Sequence, residues 1–158
     1  MQAEELARLL VFSGLRTEQL ARLVPLLQWV HFSAGIRVFA AGDLAHQLYI
    51  VKSGAVSIHY HPYDGGCIEV ATVQSPGAFG WSAVLQRAYY TSSATCQTEV
   101  VALALHTDDL HQIMAADVEL SDRLLENFGQ LAANRLEGLG RQVIQRLQSQ
   151  AVDSEPER

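Results

Sequence analysis

Residues 77–93, read as G-A-F-G-W-S-A-V-L-Q-R-A-Y-Y-T-S-S, carry the side chains best placed to do chemistry in this chain. Their pattern predicts a short helix opening at Phe79 and Gly80, directly after strand-like segments. The first turn of a helix leaves backbone N–H groups without partners, and such groups receive anions, phosphate above all. Here they belong to Gly80, Trp81, Ser82 and Ala83. Thr91, Ser92 and Ser93 add hydroxyls that either donate to an anion or bond neighbouring backbone. Trp81, Tyr89 and Tyr90 are large aromatics, equally suited to stacking on a ring and to filling a core. Arg87 either reaches inward as a cation or stays solvated.

Other constellations are weaker. His59 and His61 alternate on one strand and so share a face, where two imidazoles can share a metal, but no third ligand is evident. His31, His46, His106 and His111 are isolated in sequence, and no metal site is expected. Cys67 and Cys96 form no C-x-x-C pattern and have no histidine at metal spacing, so both read as free thiols. Cys96 and Ser92 lack a sequence-evident base, which argues against nucleophilic catalysis and against an enzyme. Asp43 reads as a turn-stabilising carboxylate with no binding role.

Those residues must be positioned by one domain. The chain has 158 residues, 49% of them hydrophobic and 18% charged, a composition that buries a core and is not that of a disordered protein. The net charge of −6 supplies no basic field for a polyanion such as DNA. No apolar run approaches the roughly 20 residues that span a bilayer. The acidic start Met1-Gln2-Ala3-Glu4-Glu5 is unlike a secretory signal. The expectation is a cytoplasmic protein with no membrane association and no direct nucleic-acid contact.

Two amphipathic patterns, 4–12 and 17–27, open the chain, with Thr17 as N-cap of the second and Pro25 ending it early. The period then becomes strand-like. Segments 29–32, 37–39, 48–52, 55–60, 68–73, 94–98 and 101–106 are rich in β-branched and aromatic residues and are separated by turn signals such as Ser53-Gly54 and Asp64-Gly65-Gly66. Many short strands without long intervening helices predict a sandwich or jelly roll. A short helix over 110–115, capped by Thr107 or Asp108, precedes a long helical pattern from Asp117. Leu136, Leu139 and Val143, preceded by Gly129, Ala132 and Ala133, suit a seam between two subunits, though Gly138 and Gly140 weaken it. A homodimer through residues 118–147 is expected. The organisation is thus one domain over 1–150, with helices at 4–27, a jelly roll at 29–106 and helices at 108–148, then a polar tail at 151–158.

Taken in order, Ala41-Gly42-Asp43, the run Leu48-Tyr49-Ile50-Val51-Lys52-Ser53-Gly54-Ala55-Val56, and Pro76-Gly77-Ala78-Phe79-Gly80 make the chain resemble the cyclic-nucleotide-binding domain family. That family comprises the sensor domains of catabolite-activator-type bacterial regulators, kinase regulatory subunits and gated channels. The resemblance covers residues 12–147. It implies an eight-stranded jelly roll with flanking helices, a mainly β fold, and a nucleotide held within the roll. The family pattern F-G-E continues nine residues later with arginine, x, Ala and Ser or Thr; the glutamate takes the ribose hydroxyl and the arginine the cyclic phosphate. This sequence has Trp81 for the glutamate. Tyr90 stands at the arginine position, or Ser92 in a second register.

The resemblance therefore implies a ligand-sensing or signalling domain whose backbone cradle is retained and whose selective side chains are replaced. A cyclic nucleotide or another small ligand would contact Phe79, Gly80, Trp81, Ser82, Ala83, Tyr90, Thr91, Ser92 and Ser93. Regulators of the family usually carry a helix-turn-helix after the long helix, and the sequence stops about where it would begin, so a stand-alone sensor is expected. One alternative is a ligand-free interaction or dimerisation module plugged by Trp81 and Tyr90. Another is a regulatory subunit acting on transcription through a protein partner.

Overall fold

The computed structural model describes residues 1–62 and 65–153; from residue 136 onward only the side chains at 141, 144, 145 and 147–149 are described. Among these residues eight strands form two four-stranded antiparallel sheets. They are β1 (Leu27–Phe32), β2 (Arg37–Phe39), β3 (Gln47–Ser53), β4 (Ala55–Tyr60), β5 (Ile68–Gln74), β6 (Ala78–Phe79), β7 (Ser93–Cys96) and β8 (Val100–His106). One sheet has the order β1-β8-β3-β6 and the other β2-β7-β4-β5. This is the jelly roll expected from the sequence.

Alternation along β3 and β8 divides the interior in two. Leu48 and Ile50 on β3, with Leu103 and Leu105 on β8, face a layer of helices that includes Leu6, Phe12, Leu23, Leu110, Leu120 and Leu124. The intervening Tyr49 and Val51, with Ala102 and Ala104, face the inside of the roll. Both faces are covered, so these strands read as apolar runs. Small residues at Ala94, Ala102 and Ala104 leave room inside the roll for Phe39, Tyr49, Phe79 and Tyr90.

Local structure departs from expectation where side chains or length decide. The 4–12 pattern forms not one helix but α1 (Ala3–Leu6) and a 3₁₀ turn at Leu10–Phe12. The second helix, α2 (Thr17–Leu23), is capped from Arg16, whose N–H donates to Gln19 Oε1 at 2.9 Å, not by Thr17. Pro25 ends it in a 3₁₀ turn, Val24–Leu26, as its missing N–H requires. α3 (Thr107–Ala116) starts earlier than expected because His106 Nδ1 accepts from the Asp108 N–H at 3.2 Å. α4 (Val118–Asp153) has 36 residues, about 54 Å at 1.5 Å each, so 151–153 continue the helix instead of starting a tail.

The N-terminal helices hold the start of α4. Asp117 caps it, its Oδ1 accepting from the Leu120 N–H at 3.0 Å. Asp117 Oδ2 accepts from Arg22 at 2.6 Å and from Gln19 Nε2 at 3.2 Å. Further along α4, Asn127 Nδ2 donates to the carbonyls of Val11 and Ser13 at 2.9 and 2.8 Å. The seam residues Leu136, Leu139 and Val143 lie outside the described side chains. Val118, Leu125, Ile144 and Leu147 on the same helix are exposed.

Candidate functional site

The helix expected to open at Phe79-Gly80 does not form. Phe79 pairs with Tyr49, and Ala78 with Ile50, making the two-residue strand β6 that the sequence did not reveal. Gly80 then reverses the chain at φ +84°, a left-handed conformation that glycine adopts readily. A Cβ there would lie 2.9 Å from the Gln47 carbonyl oxygen, so the turn also needs glycine for space. A single tight coil comes next. The N–H of Ala83 donates to Gly80 O, those of Val84 and Leu85 to Trp81 O, and that of Arg87 to Ser82 O, at 3.0–3.2 Å. Gln86 at φ +57° ends it. So short a coil has no helix macrodipole to offer. The Ala83 N–H is used within it; those of Trp81 and Ser82, in its first turn, are not.

Beside this coil lies a cavity of ≈ 340 Å³. Six of the nine expected site residues line it: Gly80, Trp81, Ser82, Tyr90, Thr91 and Ser92. Three do not. Phe79 is buried in the aromatic cluster of the roll, 4.9 Å from Tyr49 between ring centroids. Ala83 is buried, and its carbonyl accepts from His111 Nε2 at 2.9 Å. Ser93 Oγ accepts from the Ala41 N–H at 3.1 Å.

Tyr90 is fixed as a wall. Its ring stacks on Phe39 with centroids 3.6 Å apart, and its hydroxyl bonds both backbone groups of Gln47. Burial raises the phenol pKa; beside it, burial pushes Tyr49 up to about 12, so both stay neutral donors at ordinary pH. The loop before β3 closes on the same residue: Gly42 N–H donates to Tyr90 O, and Tyr90 N–H to Asp43 O, each at 2.9 Å. The Asp43 carboxylate takes the Ala40 N–H at 2.9 Å, which is the turn role read from sequence. Tyr89 is exposed and does not line the cavity.

Trp81 also walls the cavity without filling it. Half-buried, it packs against the helical core with its ring edge-to-face with Phe128, and its Nε1 donates to Ala78 O at 2.8 Å. Above its face, 4.0 Å from the ring, lies the guanidinium of Arg135 on α4, which donates to the same Ala78 carbonyl at 3.0 Å. Burial lowers the Arg135 pKa. Arg135 is the lining residue that sequence reasoning missed, together with Phe39, Ile58 and Leu85. A signal existed: Leu124, Phe128 and Leu131 fall at roll-facing helical spacing, and Arg135 continues that stripe.

Electrostatically the cavity is one-sided. Arg87 and Arg135 line it with the hydroxyls of Ser82, Thr91 and Ser92, and no lining residue is a carboxylate. Among the described residues neither arginine has an acidic partner. Elsewhere the fold brings together groups distant in sequence. Cys67 Sγ lies 3.8 Å from His61 Nε2, a neighbour the spacing did not suggest, and the His46 and His106 rings are 6.1 Å apart. Among the described residues no three His, Cys, Asp or Glu side chains converge on a metal position.

Comparison with known proteins agrees with this architecture. A CRP-like cAMP-activated global transcriptional regulator of Mycobacterium tuberculosis is 37% identical over 123 residues, 77% of this chain and 54% of that protein. The chain thus spans about half of that relative. The N-terminal domain of a transcriptional regulator from Streptomyces coelicolor is 30% identical, with a TM-score of 0.66 over 84% of this chain and 92% of that one. A cyclic nucleotide-binding domain from Methylobacillus flagellatus, 18% identical, shares the fold with a TM-score of 0.79 over 91% of this chain and 83% of that one. The family model of the cyclic nucleotide-binding domain matches residues 29–117, more than half of the sequence, and the chain belongs to that family.

Proposed function

We propose that this chain senses a small anionic ligand of the cyclic-nucleotide class, held in the cavity beside the 80–92 coil. One observation carries this reading: the cavity gathers two arginines and three hydroxyls without a carboxylate, in a chain of net charge −6. Charge-assisted bonds from guanidinium to phosphate are among the strongest that a site can offer. Its volume of ≈ 340 Å³ falls in the range of about 300–1,000 Å³ usual for small-molecule sites. The open cavity favours this reading over a pocket plugged by Trp81 and Tyr90. The arginine of the family pattern is replaced by Tyr90, so the phosphate falls to Arg87 and Arg135, with the N–H groups of Trp81 and Ser82.

Its role is sensing, not catalysis. Occupancy shifts α3 and α4 against the roll, because both elements border the coil, His111 through the Ala83 carbonyl and Arg135 through the Trp81 ring. Exposed Val118, Leu125, Ile144 and Leu147 support pairing of α4 with a second copy. The acidic balance supports action on transcription, where it occurs, through a partner and not through DNA contact by these residues. Two free thiols and, among the described residues, no helix long and apolar enough to cross a membrane support a cytoplasmic site.

Calorimetric titration with cyclic AMP, cyclic GMP and a cyclic dinucleotide tests the reading. Cyclic AMP comes first because the M. tuberculosis relative is named as cAMP-activated. Binding by one of them, weakened at least tenfold in Arg87→Gln, supports it. Absence of binding by all three overturns it.

A further inference from the structure

Two cavities share one wall. The inner one is the proposed ligand site; the outer, of ≈ 320 Å³, runs between β5 and α4 past Val73, Gly77, Leu131 and Asn134. Trp81 and Arg135 line both. They are joined twice, through the cation over the ring at 4.0 Å and through the Ala78 carbonyl that both donate to. Arg135 is therefore an anchor for α4, holding the helix to the coil that walls the inner cavity.

The anchor uses only part of the guanidinium's donor capacity. A guanidinium has five N–H donors, and among the described residues this one makes one hydrogen bond, to a neutral carbonyl. No carboxylate balances its charge among the described residues. A phosphate in the inner cavity offers the same group paired, charge-assisted bonds, a stronger arrangement than one carbonyl and a ring face. Because Arg135 already borders both spaces, its guanidinium can change partners by side-chain rotation, after which Trp81 no longer holds the helix.

We infer that Arg135 is a ligand-competed latch: in the empty protein it pins α4 to the coil through Trp81 and Ala78, and an anion in the inner cavity draws it off that anchor. The inference rests on the reading that this cavity takes an anion. Its consequence is that charge on the ligand, and not occupancy alone, frees α4. Linkage adds a second consequence with opposite signs. Removing the cation weakens anion binding, whereas removing the ring that competes for it strengthens binding.

Hydrogen exchange and calorimetry on the full chain test this, with Arg135→Gln, Arg135→Lys and Trp81→Leu. Without ligand, Arg135→Gln and Trp81→Leu are expected to raise amide exchange over residues 124–135 about tenfold, with Arg135→Lys in between. In the unaltered chain cyclic AMP or cyclic GMP raises exchange there, and the uncharged nucleosides adenosine and guanosine do not. Trp81→Leu tightens cyclic-nucleotide binding by about 2- to 30-fold, the equilibrium counterpart of a cation–π contact, and Arg135→Gln weakens it. Wild-type exchange in ligand-free Arg135→Gln overturns the latch, as does weaker binding in Trp81→Leu. If no cyclic nucleotide binds the unaltered chain, the ligand reading fails and the competition with it; the ligand-free comparison then decides whether Arg135 pins the helix at all. If nucleotides bind but nucleosides free α4 equally, the ligand reading stands and the latch falls.

Discussion

The hydroxyl of Tyr90 closes on a single residue, Gln47: it donates to the carbonyl at 2.6 Å and accepts from the N–H at 3.1 Å. Both backbone groups at the start of β3 are thereby satisfied by a side chain 43 positions away. Tyr90 is thus a structural clasp, its ring stacked on Phe39 at the wall of the cavity.

Tyr90→Phe keeps the stack and leaves the Gln47 backbone without its partner. Leaving such groups unpaired costs about 1–3 kcal/mol, which urea denaturation will show as a lower midpoint. Tyr90→Arg trades the clasp for a cation: stability falls, and affinity for cyclic AMP rises by about tenfold or more, as a charge-assisted bond to phosphate implies. Unchanged affinity in Tyr90→Arg would place the ligand elsewhere.

Trp81 is half-buried against Phe128 and the helical core. Large aromatic truncations in full burial cost about 3–5 kcal/mol, so Trp81→Ala is expected to lose roughly half of that, about 1.5–2.5 kcal/mol. A loss at the full value would show that the indole plugs the cavity in solution.

Asp117 gives acid stability a direction. Its carboxyl is held below the ordinary aspartate value, first by the Leu120 N–H and then by Gln19 and Arg22, against the opposing effect of desolvation. With the folded value below the unfolded one, the ionised group contributes stability above the ordinary value near 3.9 and loses it as pH falls through the lowered folded value. The stability gap between the unaltered chain and Asp117→Asn should therefore be constant near neutrality and shrink below about pH 4. A gap independent of pH down to acid unfolding refutes this.

The two thiols differ in access. Cys67 is exposed, while Cys96 is buried among the roll's side chains and burial pushes its pKa up. A thiol-reactive disulfide reagent should label one cysteine in the native protein and the second only on unfolding. Rapid native labelling of both cysteines, or of a Cys67→Ser variant, contradicts this.

Periodicity and turn residues determined the roll from sequence. Residues 37–39 and 55–60 form strands with the bounds read from the pattern, because alternation and flanking glycines are local signals. The two-residue β6 was hidden, since Ala78 and Phe79 are held by pairing with Ile50 and Tyr49, a non-local fact. For the same reason the coil after Gly80 read as a helix.

The sequence also has Trp81 where the family pattern has glutamate, and Tyr90 or, in a second register, Ser92 where it has arginine; Gly80, Trp81, Ser82, Tyr90, Thr91 and Ser92 of the expected site line one cavity. Only the tertiary structure decided what those residues meet. Tyr90 became a clasp because Gln47 meets it across the fold. Arg135, far beyond Trp81 in the chain, came to line the same cavity because α4 packs against Trp81 at that point. Local pattern sets which face a side chain takes on its own element; packing between elements far apart in the chain sets which group it meets.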